Sequence, residues 1–261
     1  MKIFKPGLSI RAVSDPMGFV YGENCFGPKE EYRFIDDIRP SLKDPDCKGP
    51  DIVYAISMDV GKKIHRNSLV NAHLLYGLVT YAHGSLGTEP IRSQGHIHRR
   101  SKHGKGWSTP EVYQIWSGKG IVYMQEYAKD NPGKCYAVYA EPGDIVVVPP
   151  FWAHATISGD PDIPLTFGAW CDRDYGFEYE EVRGHKGLAW YPLIEKDGKL
   201  GWHFNDNYMK SQLIEKRPGD YTLLSVENKK CIYTQYEEDK DKFRFVPEPY
   251  LVKDVWESFV P

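Results

Sequence analysis

The fold class predicted by this chain is all-β, a barrel or sandwich, and three observations predict it. Short apolar runs recur about every ten residues, each closed by Gly, Pro or Asp. Aromatic residues reach 14%, with 18 tyrosines, a composition suited to half-buried strands. Stretches with the 3.6-residue period of a helix are few and lie outside the central block.

Residues 1–50 are broken by Pro, Gly and Asp and read as an arm packed on the barrel, with a short helix over 30–35. From Asp51 the pattern changes. Strands are expected over 52–58 and 74–81, through the His96 segment, and over 112–116. A hairpin follows, 121–126 with 135–139, turning across Asp130-Asn131-Pro132-Gly133. The turn Glu141-Pro142-Gly143-Asp144 leads into a strand over 145–148, and another runs over 165–170. Further helices are expected over 63–73 and 208–213. Residues 51–200 are therefore assigned to the barrel. Residues 201–261 are assigned to a β extension of the same domain, with strands over 222–226 and 242–246.

Composition narrows the function. The chain has 261 residues, 33 basic and 36 acidic, for a net charge of -3, which gives no basic surface for nucleic acid. No apolar run approaches the roughly 18 residues of a membrane span. The five cysteines are odd in number, scattered and without a CxxC pair, so reduced thiols are expected. Met1-Lys2-Ile3-Phe4-Lys5-Pro6-Gly7 lacks the apolar core of a signal peptide. A cytoplasmic protein is the expectation.

The chemistry concentrates between residues 94 and 154. Strand side chains alternate faces, so His96 and His98 point the same way and Gln94 shares their face. Glu111 and Tyr113 likewise share a face of the next strand. A third strand can carry His154 into the same interior, and a barrel is the simplest device for converging three strands. A His-x-His pair alone also fits a solvated strand face; the spacing around it favours ligands. Three imidazoles and a carboxylate, without a thiolate, suit a divalent first-row metal: iron, manganese, nickel or zinc. Four ligands would leave two open positions in an octahedral shell, as a catalytic site needs.

Glu111 is followed seven positions later by Gly118; Gly143 precedes Pro149 by six, and Pro149 precedes His154 by five. With these intervals the chain resembles a cupin. More narrowly, it resembles the cupin-type phosphoglucose isomerase family. The matching pieces are Gly95-His96-Ile97-His98, Glu111-Val112-Tyr113, Gly118-Lys119-Gly120, Glu141-Pro142-Gly143-Asp144, Val148-Pro149-Pro150-Phe151-Trp152-Ala153-His154 and Asp174-Tyr175-Gly176. The similarity runs from about residue 51 to 201.

The resemblance implies a double-stranded β-helix, or jelly-roll, and a homodimer. It implies one divalent metal per chain on His96, His98, Glu111 and His154, and interconversion of glucose 6-phosphate and fructose 6-phosphate. Glu111, Tyr113 and Tyr175 match the catalytic and sugar-lining positions. Tyr54, Thr80, Ser93 and Gly95 match the phosphate side, Thr80 only with a one-residue shift that otherwise places Val79 there. Two routes are open to the chemistry: proton abstraction by Glu111 through an enediol, or a direct hydride shift with Glu111 as ligand only. Twelve residues, 99–110, separate His98 from Glu111, a longer connection than the family's. This basic loop either reaches over the site mouth toward a phosphate or is merely solvated. His103 within it lies off the strand pattern and is not expected to ligate. Two other functions use the same residues: a dioxygenase with iron, and a sugar-phosphate-binding barrel without turnover.

Overall fold

Alternation along the strands decides the architecture. On Leu74–Tyr81, Leu75 and Tyr81 enter one apolar cluster, while Leu74, Tyr76 and Leu78 enter another. On Glu111–Ser117, Tyr113 and Ile115 join the first cluster and Val112 and Trp116 the second. Strands buried on both faces read as near-continuous apolar runs, which is why periodicity alone located them without giving their orientation.

The computed structural model describes residues 4–261; residues 1–3, which are part of the signal-peptide expectation, lie outside the described residues. A six-stranded sheet runs Ile145–Val148, Glu111–Ser117, Thr166–Asp172, Leu74–Tyr81, Ile52–Met58 and Glu31–Phe34, with every neighbour antiparallel. A four-stranded sheet runs Ala153–Ser158, Gly120–Gln125, Cys135–Ala140 and Leu213–Lys216, the last pair parallel. The two sheets face each other across an apolar interior that includes Val122, Met124, Val138, Val146 and Phe167. The result is an all-β jelly-roll of the cupin kind.

Both outer faces are covered as well. Over the larger sheet, Tyr233, Tyr236 and Phe243 from the C-terminal segment close on Tyr76 and Trp170. Polar bonds hold them there: the Gln114 side chain accepts from Ile232 N (2.8 Å) and donates to Lys230 O (3.0 Å). Over the smaller sheet, Val182 and Leu188 pack on Tyr123, Ala155 and Ile157.

Several local expectations need correcting. Residues 31–34 are an edge strand, and the helix is the turn after it, Ile35–Ile38. Pairing with Ile52–Met58 overrides the helical preference of the two glutamates. Residues 208–212 are not helical. Asn205 fixes a turn there by accepting from Asn207 N, and the strand Leu213–Lys216 follows. In the C-terminal part, Thr222–Leu224 is a 3-10 turn and 242–246 lies in a run of turns, where strands were expected. Tyr221, Leu224, Val226, Phe243 and Phe245 all sink into one cluster, and so short an apolar run does not distinguish strand from turn. The helix expected over 63–73 is present as Lys63–His65 and Arg66–Asn71.

Trp170 tests this packing. Its ring lies 4.6 Å from Tyr76, 5.0 Å from Tyr236 and 5.6 Å from Phe243, and its Nε1 donates to Ile232 O at 3.3 Å. Trp170→Ala is expected to cost about 3–5 kcal/mol in urea unfolding. A loss near zero would show that the C-terminal segment does not stabilise the sheet.

Candidate metal centre

Two backbone hydrogen bonds build the centre. His96 N donates to His154 O (3.0 Å) and His154 N donates back to His96 O (2.9 Å), an antiparallel bridge outside the regular strands. The bridge sets the two imidazoles edge to face at 4.3 Å. His98 follows on the short strand Ile97–His98, paired with Phe177–Glu178. Glu111 opens its strand on the same inward face as Tyr113.

The side chains converge. One ligand atom from each of His96, His98, Glu111 and His154 lies within 4.8 Å of all the others. Glu111 Oε2 is 3.2 Å from His98 Nε2 and 3.6 Å from His154 Nε2. Ligands on neighbouring corners of a first-row ion, bonded at about 2.1 Å, stand about 3 Å apart. Second partners fix the tautomers. His98 Nδ1 lies 2.8 Å from Thr109 O and His154 Nδ1 lies 3.1 Å from Trp152 O. A carbonyl only accepts, so each Nδ1 carries the proton and each Nε2 presents a lone pair to the cluster.

Burial governs the charges. It would raise the Glu111 carboxyl, but the neighbouring His154 and His98 imidazoles hold it well below the usual range. Burial pulls His96 far below an ordinary histidine, with His154 and His98 adding to the fall. For His98 the bond to Glu111 overcomes burial and leaves it raised; for His154 burial wins and leaves it lowered. An ionised carboxylate therefore sits among mostly neutral imidazoles. Two buried atoms, His96 Nε2 and His154 Nε2, have no hydrogen-bond partner among the described residues. Orphaned imidazole nitrogens aimed at one carboxylate are what a divalent ion would satisfy, so the residues fit such an ion.

A narrow cavity of about 60 Å³ opens from His96 and Glu111 along the barrel interior. Tyr54, Tyr81, Ser93, Tyr113 and Thr156 line it, and Phe177 covers it 4.5 Å from His96. Tyr113 OH donates to Glu111 Oε2 at 2.6 Å, and the Cys171 thiol lies 3.2 Å from Oε1. Ser93 Oγ accepts from Thr156 N at 3.1 Å.

With this geometry in view, the comparisons with known proteins are specific. Residues 39–211 match the family model for glucose-6-phosphate isomerase.

The chain belongs to that family.

Its relatives include glucose-6-phosphate isomerase of Thermococcus litoralis, 33% identical over 117 residues, covering 45% of this chain and 55% of that protein. The Pyrococcus horikoshii enzyme of the same name is 32% identical over 117 residues, with the same coverage. A putative glucose-6-phosphate isomerase 1 of Rhizobium meliloti is 26% identical over 136 residues, 51% of this chain and 56% of that one. The chain thus spans about half the length of these relatives. Among solved structures, an oxalate oxidase bound to glycolate matches with a TM-score of 0.31 at 20% identity, over 41% of this chain and 46% of that one. Oxalate decarboxylase from Bacillus subtilis matches with a TM-score of 0.33 at 12% identity, over 48% and 26%.

The structure places the residues expected of a glucose-6-phosphate isomerase family member unevenly. The four ligand candidates form one cluster, and His96 and Glu111 of it line one cavity with Tyr113, Tyr54 and Ser93. Thr80 does not join them. Strand parity turns it to the outer face, where its hydroxyl meets Thr166 Oγ1 at 2.9 Å, and Val79 faces the cavity instead. Gly95 has φ +89, and a Cβ there would stand 2.9 Å from Leu188 Cδ1, so packing alone demands glycine. Tyr175 is 38% exposed, and Phe177 and Tyr179 take the cavity wall beyond it. Only the start of the basic loop lies near the mouth, where Arg99 packs on Gly176 beside Phe177; the rest turns away. Arg100 and Trp107 pack on Phe151, Lys105 lies over Tyr250, and His103 stacks on His73 at 4.0 Å. Its contribution is the Thr109 carbonyl that orients His98.

Sequence reasoning missed Arg33, Tyr81, Cys171, Phe177 and Tyr179. Parity along 74–81 and 165–172 would have pointed Tyr81 and Cys171 inward; nothing in the sequence signalled Arg33. The metal reading has a direct check. Protein purified without chelator is expected to carry about one divalent ion per chain by elemental analysis, and His96→Ala and His154→Ala to lose most of it. Full metal content in both variants would place the ion elsewhere.

Proposed function

We propose that this chain interconverts glucose 6-phosphate and fructose 6-phosphate, with one divalent first-row ion held by His96, His98, Glu111 and His154. One observation carries the reading: the four-residue cluster opens into a tyrosine-lined cavity within the segment that matches the family. Iron, manganese, nickel and zinc all suit the donor set. The ion, when bound, supplies Lewis-acid stabilisation of charge on the sugar oxygens.

The residues favour one of the two routes. Both Glu111 oxygens are engaged, Oε2 by the Tyr113 hydroxyl and Oε1 by the Cys171 thiol. A carboxylate so held, and with a lowered proton affinity, is a poor base. The hydride route needs none. The C2 hydrogen moves to C1 with its electron pair, O1 gains a proton and O2 loses one. Burial beside Glu111 keeps the Tyr113 hydroxyl protonated, placing it to pass that proton. Phe177 over His96 excludes water during the transfer.

A coupled assay on fructose 6-phosphate tests the activity. Chelation is expected to abolish turnover and an added divalent ion to restore it, and His154→Ala to lower kcat by on the order of a hundredfold or more. Activity indifferent to chelation removes the metal from the mechanism. In deuterium oxide, glucose 6-phosphate formed from fructose 6-phosphate is expected to carry no deuterium at C2. Deuterium there would return Glu111 to the role of base.

The proposal extends to a cytoplasmic homodimer. Five unpaired cysteines support a reducing compartment. No helix among the described residues is long and apolar enough to cross a membrane. The dimer follows the family resemblance; at 30.0 kDa per chain, it would run at about 60 kDa in gel filtration.

A further inference from the structure

The cavity has two ends of different chemistry. Cross-strand pairing orders its inward residues in rows. Glu111 lies beside Cys171, and Tyr113 pairs with Ala169, which pairs with Gly77. Further along, Phe167 pairs with Val79, and Val79 with Ile56. Last come Tyr81, Tyr54 and Arg33, each the Cα partner of the next. Arg33 thus lines the same cavity as Glu111, several rows away and across three intervening strands. Apart from His96, it is the one basic side chain among the described lining residues.

Arg33 is held but not neutralised. Its side chain is three-quarters buried, at 24% exposure. Its nearest carboxylate, Glu31 Oε2, is 3.4 Å away and largely exposed, and its one backbone partner is Tyr32 O at 3.2 Å. A pair at that distance to a largely exposed carboxylate contributes little. Nη1 is shared between Glu31 and Tyr32 and Nη2 gives one bond to Glu31, which leaves the Nε hydrogen and a second Nη2 hydrogen for a ligand. The aim of the side chain is built into the strand. Pairing shifts register between Arg33 and Phe34, a bulge on an edge strand of the kind that redirects a side chain. The Arg33 charge also reaches the Tyr54 and Tyr179 hydroxyls, where burial raises each and Arg33 opposes the rise.

We propose that Arg33 binds the phosphate of the substrate, holding a sugar phosphate with its carbonyl end at Glu111 and its anionic end at the arm-borne guanidinium. The assignment rests on the isomerase reading for the identity of the sugar, and on the cavity alone for the anion. A planar guanidinium matches a phosphate bidentately. It does so where Val79 offers no hydroxyl and Thr80 faces away. The edge strand Glu31–Phe34 thereby supplies specificity at the far end of a sheet whose other end carries the chemistry.

Steady-state kinetics of Arg33→Gln and Arg33→Lys, with fructose 6-phosphate and with phosphate-free fructose, test this. Arg33→Gln is expected to raise KM for fructose 6-phosphate about tenfold to a hundredfold. The same variant should lower kcat/KM for fructose 6-phosphate far more than for fructose, and Arg33→Lys should recover part of the loss. The inhibition constant of inorganic phosphate should rise with KM. Unchanged KM and phosphate inhibition in Arg33→Gln overturn the proposal. So does an equal loss on both sugars, which marks Arg33 as structural. If the wild-type protein turns over neither sugar, the isomerase reading fails by itself, and calorimetry with inorganic phosphate decides Arg33: heat lost in Arg33→Gln supports it, and heat retained overturns it.

Discussion

The paired backbone bonds between His96 and His154 are the constraint on which the site depends. They join the segment entering the barrel after Gly95 to the strand that begins at Ala153, and they do so at the ligand residues themselves. An imidazole anchored by its own main chain has few degrees of freedom left, so little ordering cost remains when the cluster closes on an ion. The neighbours follow from that bridge. Phe177 lies over His96 because its strand continues the pairing through Ile97–His98. Ser93 meets Thr156 because the same two segments run on together, Ser93 N donating to Thr156 O.

The barrel that surrounds this bridge is enclosed in three apolar layers rather than one. Its interior carries the cavity, and each outer face is sealed by segments that follow the last barrel strand. Such an arrangement frees the interior from carrying the whole stability of the fold. Polar and ionisable groups, among them Glu111, Tyr113 and Thr156, can stand inside because Trp170, Tyr233 and Tyr123 bury area elsewhere.

Sequence reasoning read the site better than its surroundings, for physical reasons. Strand parity has period two, so the shared faces of His96 with His98 and of Glu111 with Tyr113 followed from counting. The same counting, applied to Val79 and Thr80, would have turned Thr80 outward; matching by residue type instead selected the hydroxyl. Arg33 was illegible because its place depends on an edge-strand pairing with Tyr54 and a bulge, neither of which has a local signature. The C-terminal segment misled because Phe243, Phe245 and Val246 satisfy their apolar character against a sheet rather than within one. Where burial is supplied from a distance, local pattern does not report backbone shape.

The basic loop carries one more implication. Residues 99–110 lean on Phe151 on one side and, through Lys105 and Tyr250, on the C-terminal tail on the other. Their far end delivers the Thr109 carbonyl that fixes His98. Loop and tail are therefore one packed unit, not two independent additions. Grafting the loop alone onto a shorter barrel would leave Lys105 without its platform and His98 with a loosened anchor. A long connection between two ligands thus holds its far end in place through contacts made outside the barrel.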